Sequence, residues 1–411
     1  MDTKTTADQA FVRESNLSLV LRRIHNESPI SRAHLAAETG LNKSTVSSLV
    51  EELMRLGLVY ETGLNSVGAG RPATQLEINP QAGCIIGIEL GVDFVSAALT
   101  DFMGTVLWHD TTGTDPAEAQ ETILAQSLHL VDEAIAACRA MSRPLLGLGL
   151  ATPGTVDLNE GMLVFAPNLH WHNVPFRKYF AEHTGLKVFV ENDANAAAVA
   201  EHLFGVARQC SDFVLVFAGV GIGGGFFLNG KLYRGKNGFA GEIGHSPIMA
   251  GPFQAPCHCG NRGCWETYAN QYSIIQRIQA RLAVKRSSLI PALMAEQNSP
   301  LTIPLINQAA DAGDAEALSS FAEAGTAFGQ GLAAIASFLN PEKIIFGGPL
   351  SIAARHMLPS VQEAIAKHCL PEIAERVSVE PSHFGADASL IGAIAIVADN
   401  ILSYPTHMER R

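Results

Sequence analysis

Two stretches of this 411-residue chain share a pattern that few folds accommodate: an apolar strand, a turn built on glycine, and a second strand running back. The first is Ile85-Ile86-Gly87-Ile88-Glu89-Leu90-Gly91 followed by Phe94 to Thr100. The second is Phe213 to Phe217, the turn Ala218-Gly219-Val220-Gly221-Ile222-Gly223-Gly224-Gly225, and the return strand Phe226-Phe227-Leu228. Glycine turns let backbone N–H groups come close to a phosphate or another polar ligand. Two such hairpins in one chain are what two related lobes around a nucleotide cleft would carry. A further apolar strand, Leu145 to Leu150, closes at Thr152-Pro153-Gly154, so the chain from Cys84 onward reads as alternating α/β.

The length exceeds what one core supports, and two or three domains are expected. With 47% hydrophobic and 17% charged residues and no low-complexity tract, the chain can bury large cores. No uninterrupted apolar run approaches the ~18 residues of a membrane helix, and Met1-Asp2-Thr3-Lys4 opens a polar stretch; the expectation is a cytoplasmic protein with no membrane partner. A net charge of −12 argues against a broad basic surface that coats nucleic acid. That charge is uneven: residues 1–80 hold 8 Lys and Arg against 9 Asp and Glu, so nearly all the excess acid lies beyond them. Any DNA contact must use a local face of that near-neutral segment.

The segment has the pattern for it. Leu17, Val20, Leu21 and Ile24 make the apolar stripe of a first helix. Ser31 can cap a short helix that stops at Gly40, and Asn42 can cap the next, with Val46, Leu49, Val50, Leu53 and Leu56 facing inward. This is a helix-turn-helix pattern. Its second helix starts with small hydroxyl side chains and a lysine, which enter a major groove without holding the helix away. Candidate DNA-contacting residues are Arg32, Asn42, Lys43, Ser44, Thr45, Ser47 and Ser48, with Arg71 on a wing formed by Leu58 to Glu61 and Gln75 to Ile78. A helical protein-interaction module is the bland alternative, but the start of that helix lacks the aromatics, Met or Leu a protein-binding face exposes.

Seven cysteines are too few and too odd in number for a disulfide scaffold, and three crowd into eight residues. His245, Cys257, Cys259 and Cys264 follow the spacing His-x11-Cys-x-Cys-x4-Cys, with Gly260 and Gly263 letting the loop fold back. Three thiolates and an imidazole favour tetrahedral zinc in a closed, structural site. His258 competes with His245 for the fourth place.

The motifs Gly219 to Gly225, Gly241-Glu242-Ile243-Gly244-His245, Cys257 to Glu266 and Glu191-Asn192-Asp193-Ala194-Asn195 together resemble those of the ROK family, whose name joins repressors, open reading frames and sugar kinases. The likeness runs from about Asn16 to the C-terminus, and the N-terminal winged helix fits the repressor branch. Asp8 to Asn16 and Gly40 to Ser47 look most similar to its xylose repressors. The resemblance implies a two-lobed, actin-like domain with a sugar between the lobes. It implies a winged helix at 1–80, a small lobe at 81–195, a large lobe at 196–387, and a C-terminal helix, about 388–411, returning to the small lobe. It gives the metal role to His245, and sugar-binding positions to Gly154, Asn168, Asn192, Asp193, Glu242, His245 and Glu266. In the kinases, Asp193's position is the general base; here it can also cap the Ala-rich helix that follows.

The departures point away from ATP. Family kinases carry Asp-x-Gly-Gly-Thr in the first hairpin, where this chain has Glu89-Leu90-Gly91-Val92-Asp93, and Asp93 sets a carboxylate beside a polyanion. Val220 replaces a hydroxyl residue in the second hairpin, and Pro349 removes a backbone N–H from Gly347-Gly348-Pro349. The expectation is therefore a sugar-responsive repressor that binds a palindromic operator as a homodimer or a pair of dimers. A sugar kinase with an added DNA-binding domain is the alternative.

Overall fold

The computed structural model describes residues 9–65, 73–247, 255–284 and 287–410. At its N-terminal end lie three helices: α1 (Gln9–Glu27), α2 (Arg32–Thr39) and α3 (Lys43–Arg55). Leu17, Val20, Leu21 and Ile24 are buried on one stripe of α1, as their spacing requires. Ser31 accepts from His34 N at 3.2 Å to start α2, and Gly40 ends it at φ 69°. Asn42 Oδ1 accepts from Thr45 N at 2.8 Å to start α3, whose Val46, Leu49, Val50 and Leu53 are buried. Strands Val59–Asn65 and Ala73–Ile78 pair antiparallel as a wing. Ile30–Ser31 adds a third strand on Leu76 and Gln75, a pairing too short to leave a periodic signal.

Beyond the wing come two five-stranded sheets of the same design. One runs Val188–Asn192, Leu145–Thr152, Cys84–Leu90, Phe94–Asp101, Val106–Gly113; the other runs Ser378–Pro381, Lys343–Gly347, Phe213–Ala218, Ile222–Leu228, Lys231–Leu232. In both, one strand pairs in parallel with the first strand of the glycine hairpin and the outermost strand pairs in parallel with that neighbour, while the remaining pairings are antiparallel. The central strands are buried along their whole length, which is why they read as continuous apolar runs.

Helices Asp193–Leu203 and Ala388–Ser403 pack side by side between the sheets. Their closeness depends on small residues. A Cβ at Gly392 would fall 2.2 Å from the carbonyl carbon of Ala196, and one at Gly149 would fall 1.8 Å from the Ala393 oxygen. The lobe boundary expected at residue 195 falls inside the first of these helices, which touches strands of both sheets. Among the described residues one stretch, Gly385–Ser403, is long and apolar enough to cross a membrane (mean hydropathy 1.5), but 67% of it is buried in this interior.

The winged helix is joined directly to these helices. Arg22 pairs with Asp399 at 2.8 Å and donates to Ser403 Oγ at 2.6 Å, while Arg208 donates to the His25 carbonyl at 3.1 Å. Leu17, Leu21 and Ile24 share one apolar core with Leu203 and Ile401.

Candidate functional site

A cavity of about 270 Å³ opens between the sheets, at the two glycine turns. It gathers Gly154, Asn168, Asn192, Asp193, Glu242, His245 and Glu266, seven positions spread over more than a hundred residues of sequence, along with Asp93, Val220 and Pro349. Glu89 also lines it, a buried acid that sequence reasoning noted only as a departure from a phosphate motif. Among the described residues the lining holds five carboxyl groups, from Glu89, Asp93, Asp193, Glu242 and Glu266, and no lysine or arginine.

The end of strand Val188–Asn192 sets up the cleft floor. Asn192, not Asp193, caps the following helix, with Oδ1 accepting from Ala194 N at 3.0 Å and Asn195 N at 3.1 Å. The capping role expected of Asp193 therefore passes to its neighbour, because Asn192 holds the extended backbone a cap needs while Asp193 is already helical. Asn192 Nδ2 donates to the Gly154 carbonyl at 3.1 Å and ties down the turn after Leu145–Thr152. Gly154 has φ 95° and a Cβ there would sit 2.3 Å from the Phe165 oxygen, so no larger residue fits.

Asp193 is thus left facing the cleft. Burial, followed by the charge of Glu242, raises its carboxyl from 3.8 to about 7. Burial likewise lifts Glu242, against the opposing pull of His245, and lifts Glu89 well above its ordinary value, with Asp193 and Asp387 adding to the effect. The cleft floor is a cluster of reluctant acids, which accept hydrogen bonds when ionised and donate them when protonated.

On the opposite wall, His245, Cys257, Cys259 and Cys264 bring their ligand atoms within 4.8 Å of one another. Cys259 and Cys264 Sγ lie 3.7 Å apart, and Cys257 Sγ lies 3.6 Å from His245 Nδ1. A tetrahedral ion with ~2.3 Å bonds to sulfur and ~2.0 Å to nitrogen would set these edges at ~3.8 Å and ~3.5 Å. The donor set fits a metal ion in both chemistry and spacing. Gly260 (φ 92°) and Gly263 (φ 76°) make the reversals that bring the loop back. Between the rival histidines the geometry is clear: His258 turns from the thiols, and its Nδ1 meets Asn168 Oδ1 at 3.0 Å. Glu266 joins cleft to metal group, its Oε1 accepting from Cys257 Sγ at 2.9 Å and lying 3.4 Å from His245 Nδ1.

At the N-terminal module, Asn42, Lys43, Ser44 and Ser48 are exposed at the start of α3, while Thr45 and Ser47 are half-buried. Ser44 Oγ donates to Asn42 Oδ1 at 2.7 Å, so this pair is partly engaged with the cap. Arg32 is held by Glu61 on the wing and approaches Met54, which removes it from the exposed set. Arg71 lies outside the described residues.

These features define a class: an actin-like, sugar-kinase-type domain carrying a winged helix at its N-terminus. The ROK family model matches residues 85–400, and the MarR family model matches residues 18–66. The chain belongs to the ROK family. It is 35% identical over 400 residues to the xylose repressor of Bacillus spizizenii, covering 96% of this chain and 98% of that protein. Among solved structures it resembles a ROK family transcriptional regulator, a homologue of the Escherichia coli MLC protein, with TM-score 0.81, 28% identity, and coverage of 97% of this chain and 99% of the other. A ROK family glucokinase from Streptomyces griseus, in complex with glucose and AMPPNP, matches with TM-score 0.68 and 29% identity over 76% of this chain and 99% of its own.

Proposed function

We propose that this protein is a sugar-responsive transcriptional repressor of a carbohydrate-utilisation operon. A sugar in the interlobe cleft controls the grip of two winged helices on a palindromic operator. The observation that carries the reading is the lining of the cleft: five carboxyl groups and, among the described residues, no lysine or arginine. Such a lining suits the donor hydroxyls of a neutral sugar and opposes a polyphosphate. Asn192, Asp193, Glu242, His245 and Glu266 hold the sugar from the large-lobe side and floor, and Gly154 and Asn168 from the small-lobe side.

Zinc at His245, Cys257, Cys259 and Cys264 is structural in this reading, since four protein ligands leave no open position. It holds His245, and the loop that runs through Cys264 to Glu266, in place for the sugar. The protein works in the cytoplasm as a homodimer, because a palindrome read in steps of about 34 Å needs two recognition helices. Lys43, Ser44, Thr45, Ser47 and Ser48 on α3 make the groove contacts, with Asn42 at its cap and Arg71 on the wing. The cleft and the DNA module are coupled through helices Asp193–Leu203 and Ala388–Ser403. The first starts at the cleft with Asp193, the second starts beside Glu89 of the cleft lining, and they end where Leu203, Ile401, Asp399 and Ser403 hold α1. Linkage makes the coupling reciprocal: a sugar that loosens DNA binds less tightly to the DNA-bound form.

Isothermal titration against xylose, glucose, N-acetylglucosamine and ATP with magnesium tests the reading. Heat from a sugar without heat from ATP is expected; ATP binding with no sugar binding overturns it. A sugar kinase is the second reading, favoured by one observation: Asp193 titrates near neutrality at the cleft floor, as a general base should. Turnover of a hexose with ATP that disappears in Asp193→Asn would put that reading first.

A further inference from the structure

His258 lies between two metal-ligand cysteines, yet its ring reaches across the cleft to the opposite lobe, where Nδ1 stands 3.0 Å from Asn168 Oδ1. An amide oxygen only accepts, so His258 Nδ1 must carry the proton and donate. Asn168 thus directs its amide oxygen at His258. With its oxygen taken by His258, its Nδ2 is turned toward Gly221, lying 3.7 Å from where a Cβ on Gly221 would stand. Glu266 Oε2 lies 3.0 Å from the same point. The space above Gly221 is therefore flanked by a donor from the small lobe and an acceptor from the metal-bearing wall.

Asn192, a second amide of the cleft, offers less. Asn192 spends its oxygen on two backbone N–H groups and directs its nitrogen to Gly154. Gln271 also lines the cleft, and the other polar side chains there, among the described residues, are acids and His245. Above Gly221 itself, a ligand oxygen that needs a neutral donor meets Asn168 Nδ2, in an orientation that His258 imposes.

We propose that His258 is a positioning residue for ligand recognition. It fixes the Asn168 amide so that Asn168 Nδ2 and Glu266 Oε2 together seat one ligand hydroxyl above Gly221. The inference rests on the reading of the cleft as a sugar site. It ties the metal loop to the small lobe: the chain segment that holds the ion also carries the group that orients the opposing wall. A hydroxyl, which donates and accepts at once, satisfies both flanking groups, whereas an ether oxygen or a methylene satisfies one or neither.

The test is calorimetry on the full-length, metal-loaded protein with D-xylose and D-glucose as probes. His258→Ala should weaken binding of the sugar that wild type binds by about tenfold while metal content per chain stays unchanged. His258→Asn, whose Nδ2 takes the place of Nδ1, should restore affinity to within about threefold. His258→Ala and Asn168→Ala should be non-additive when combined. Gly221→Ala, at a backbone conformation open to alanine, should abolish binding by filling the seat while leaving thermal unfolding unchanged. Unaltered affinity in His258→Ala, a parallel loss of metal, failure of His258→Asn to rescue, or binding retained by Gly221→Ala each overturns the inference alone. Wild type that binds neither these sugars nor N-acetylglucosamine overturns the functional reading and this inference with it.

Discussion

Replacing Asp193 with asparagine should make the protein more stable, and only at higher pH. The Asp193 carboxyl titrates at about 7 in the folded chain, against 3.8 without the fold, chiefly because it is buried and secondarily because Glu242 faces it. Between those values the native state keeps a proton that the unfolded chain has released. Stability therefore declines as pH rises through that window, and the penalty is complete above about pH 7. At 1.36 kcal/mol for each tenfold change, the ceiling is about 4 kcal/mol, and water in the open cleft reduces it to about 2. Asparagine has nearly the same shape, its Oδ1 can still accept from Ala194 N, and it has no proton to lose. Urea midpoints for wild type and Asp193→Asn should thus coincide near pH 4 and separate by about 2 kcal/mol in favour of the variant at pH 8. Glu89 and Glu242 remain in both proteins, so the difference reports the loss of the Asp193 charge together with the relief it gives Glu89 and Glu242. Sugar affinity should run the other way in wild type, rising with pH as Asp193 becomes a better acceptor. Curves that stay parallel from pH 4 to 8 would refute the burial argument.

Other outcomes follow from the same geometry. Gly392→Ala would gain about 1 kcal/mol from helix propensity on an isolated helix. Here its Cβ meets Ala196 backbone at 2.2 Å, so a net loss of about 1–3 kcal/mol is expected in thermal unfolding; a stabilised variant would mean the two helices pack less closely than described. Lys43→Ala should weaken operator binding equally across sequence variants and lower the slope of log affinity against log salt by about 0.9 per subunit; an unchanged slope would remove Lys43 from the phosphate contacts. Chelating the metal should cost sugar binding at least about tenfold, because His245 and the loop that leads to Glu266 lose their shared anchor, while leaving the helices of the N-terminal module intact by circular dichroism; full sugar affinity in metal-free protein would uncouple the two sites.

Much of the site was legible because its residue types carry backbone or ligand constraints that survive without a structure. The three cysteines announce a soft donor set through spacing, the family motif adds His245 over His258, and the edges of 3.6 and 3.7 Å agree with that set. The caps at Ser31 and Asn42 and the stop at Gly40 were readable because each is a local hydrogen bond or a local φ. The cap before Asp193 was misread by one residue, since Asn and Asp are equally good caps and only the backbone conformation separates them. Arg32 is expected among the DNA contacts, and only the fold shows that Glu61 on the wing pairs with it.

By itself, then, the sequence determined the local grammar of this protein: the helix-turn-helix, the two glycine hairpins, the metal loop, and the family to which their motifs belong. Each of these is written within a few tens of residues, where periodicity, capping and ligand spacing act. Tertiary structure alone decided what long-range packing decides. It turned His258 from the metal toward Asn168 and merged five carboxylates into one cleft whose burial raises Asp193 to about 7. It also laid two small-residue helices together, so that the floor of the cleft and the first helix of the DNA module share one continuous core. Burial and charge proximity depend on atoms hundreds of residues apart, and no local pattern encodes them.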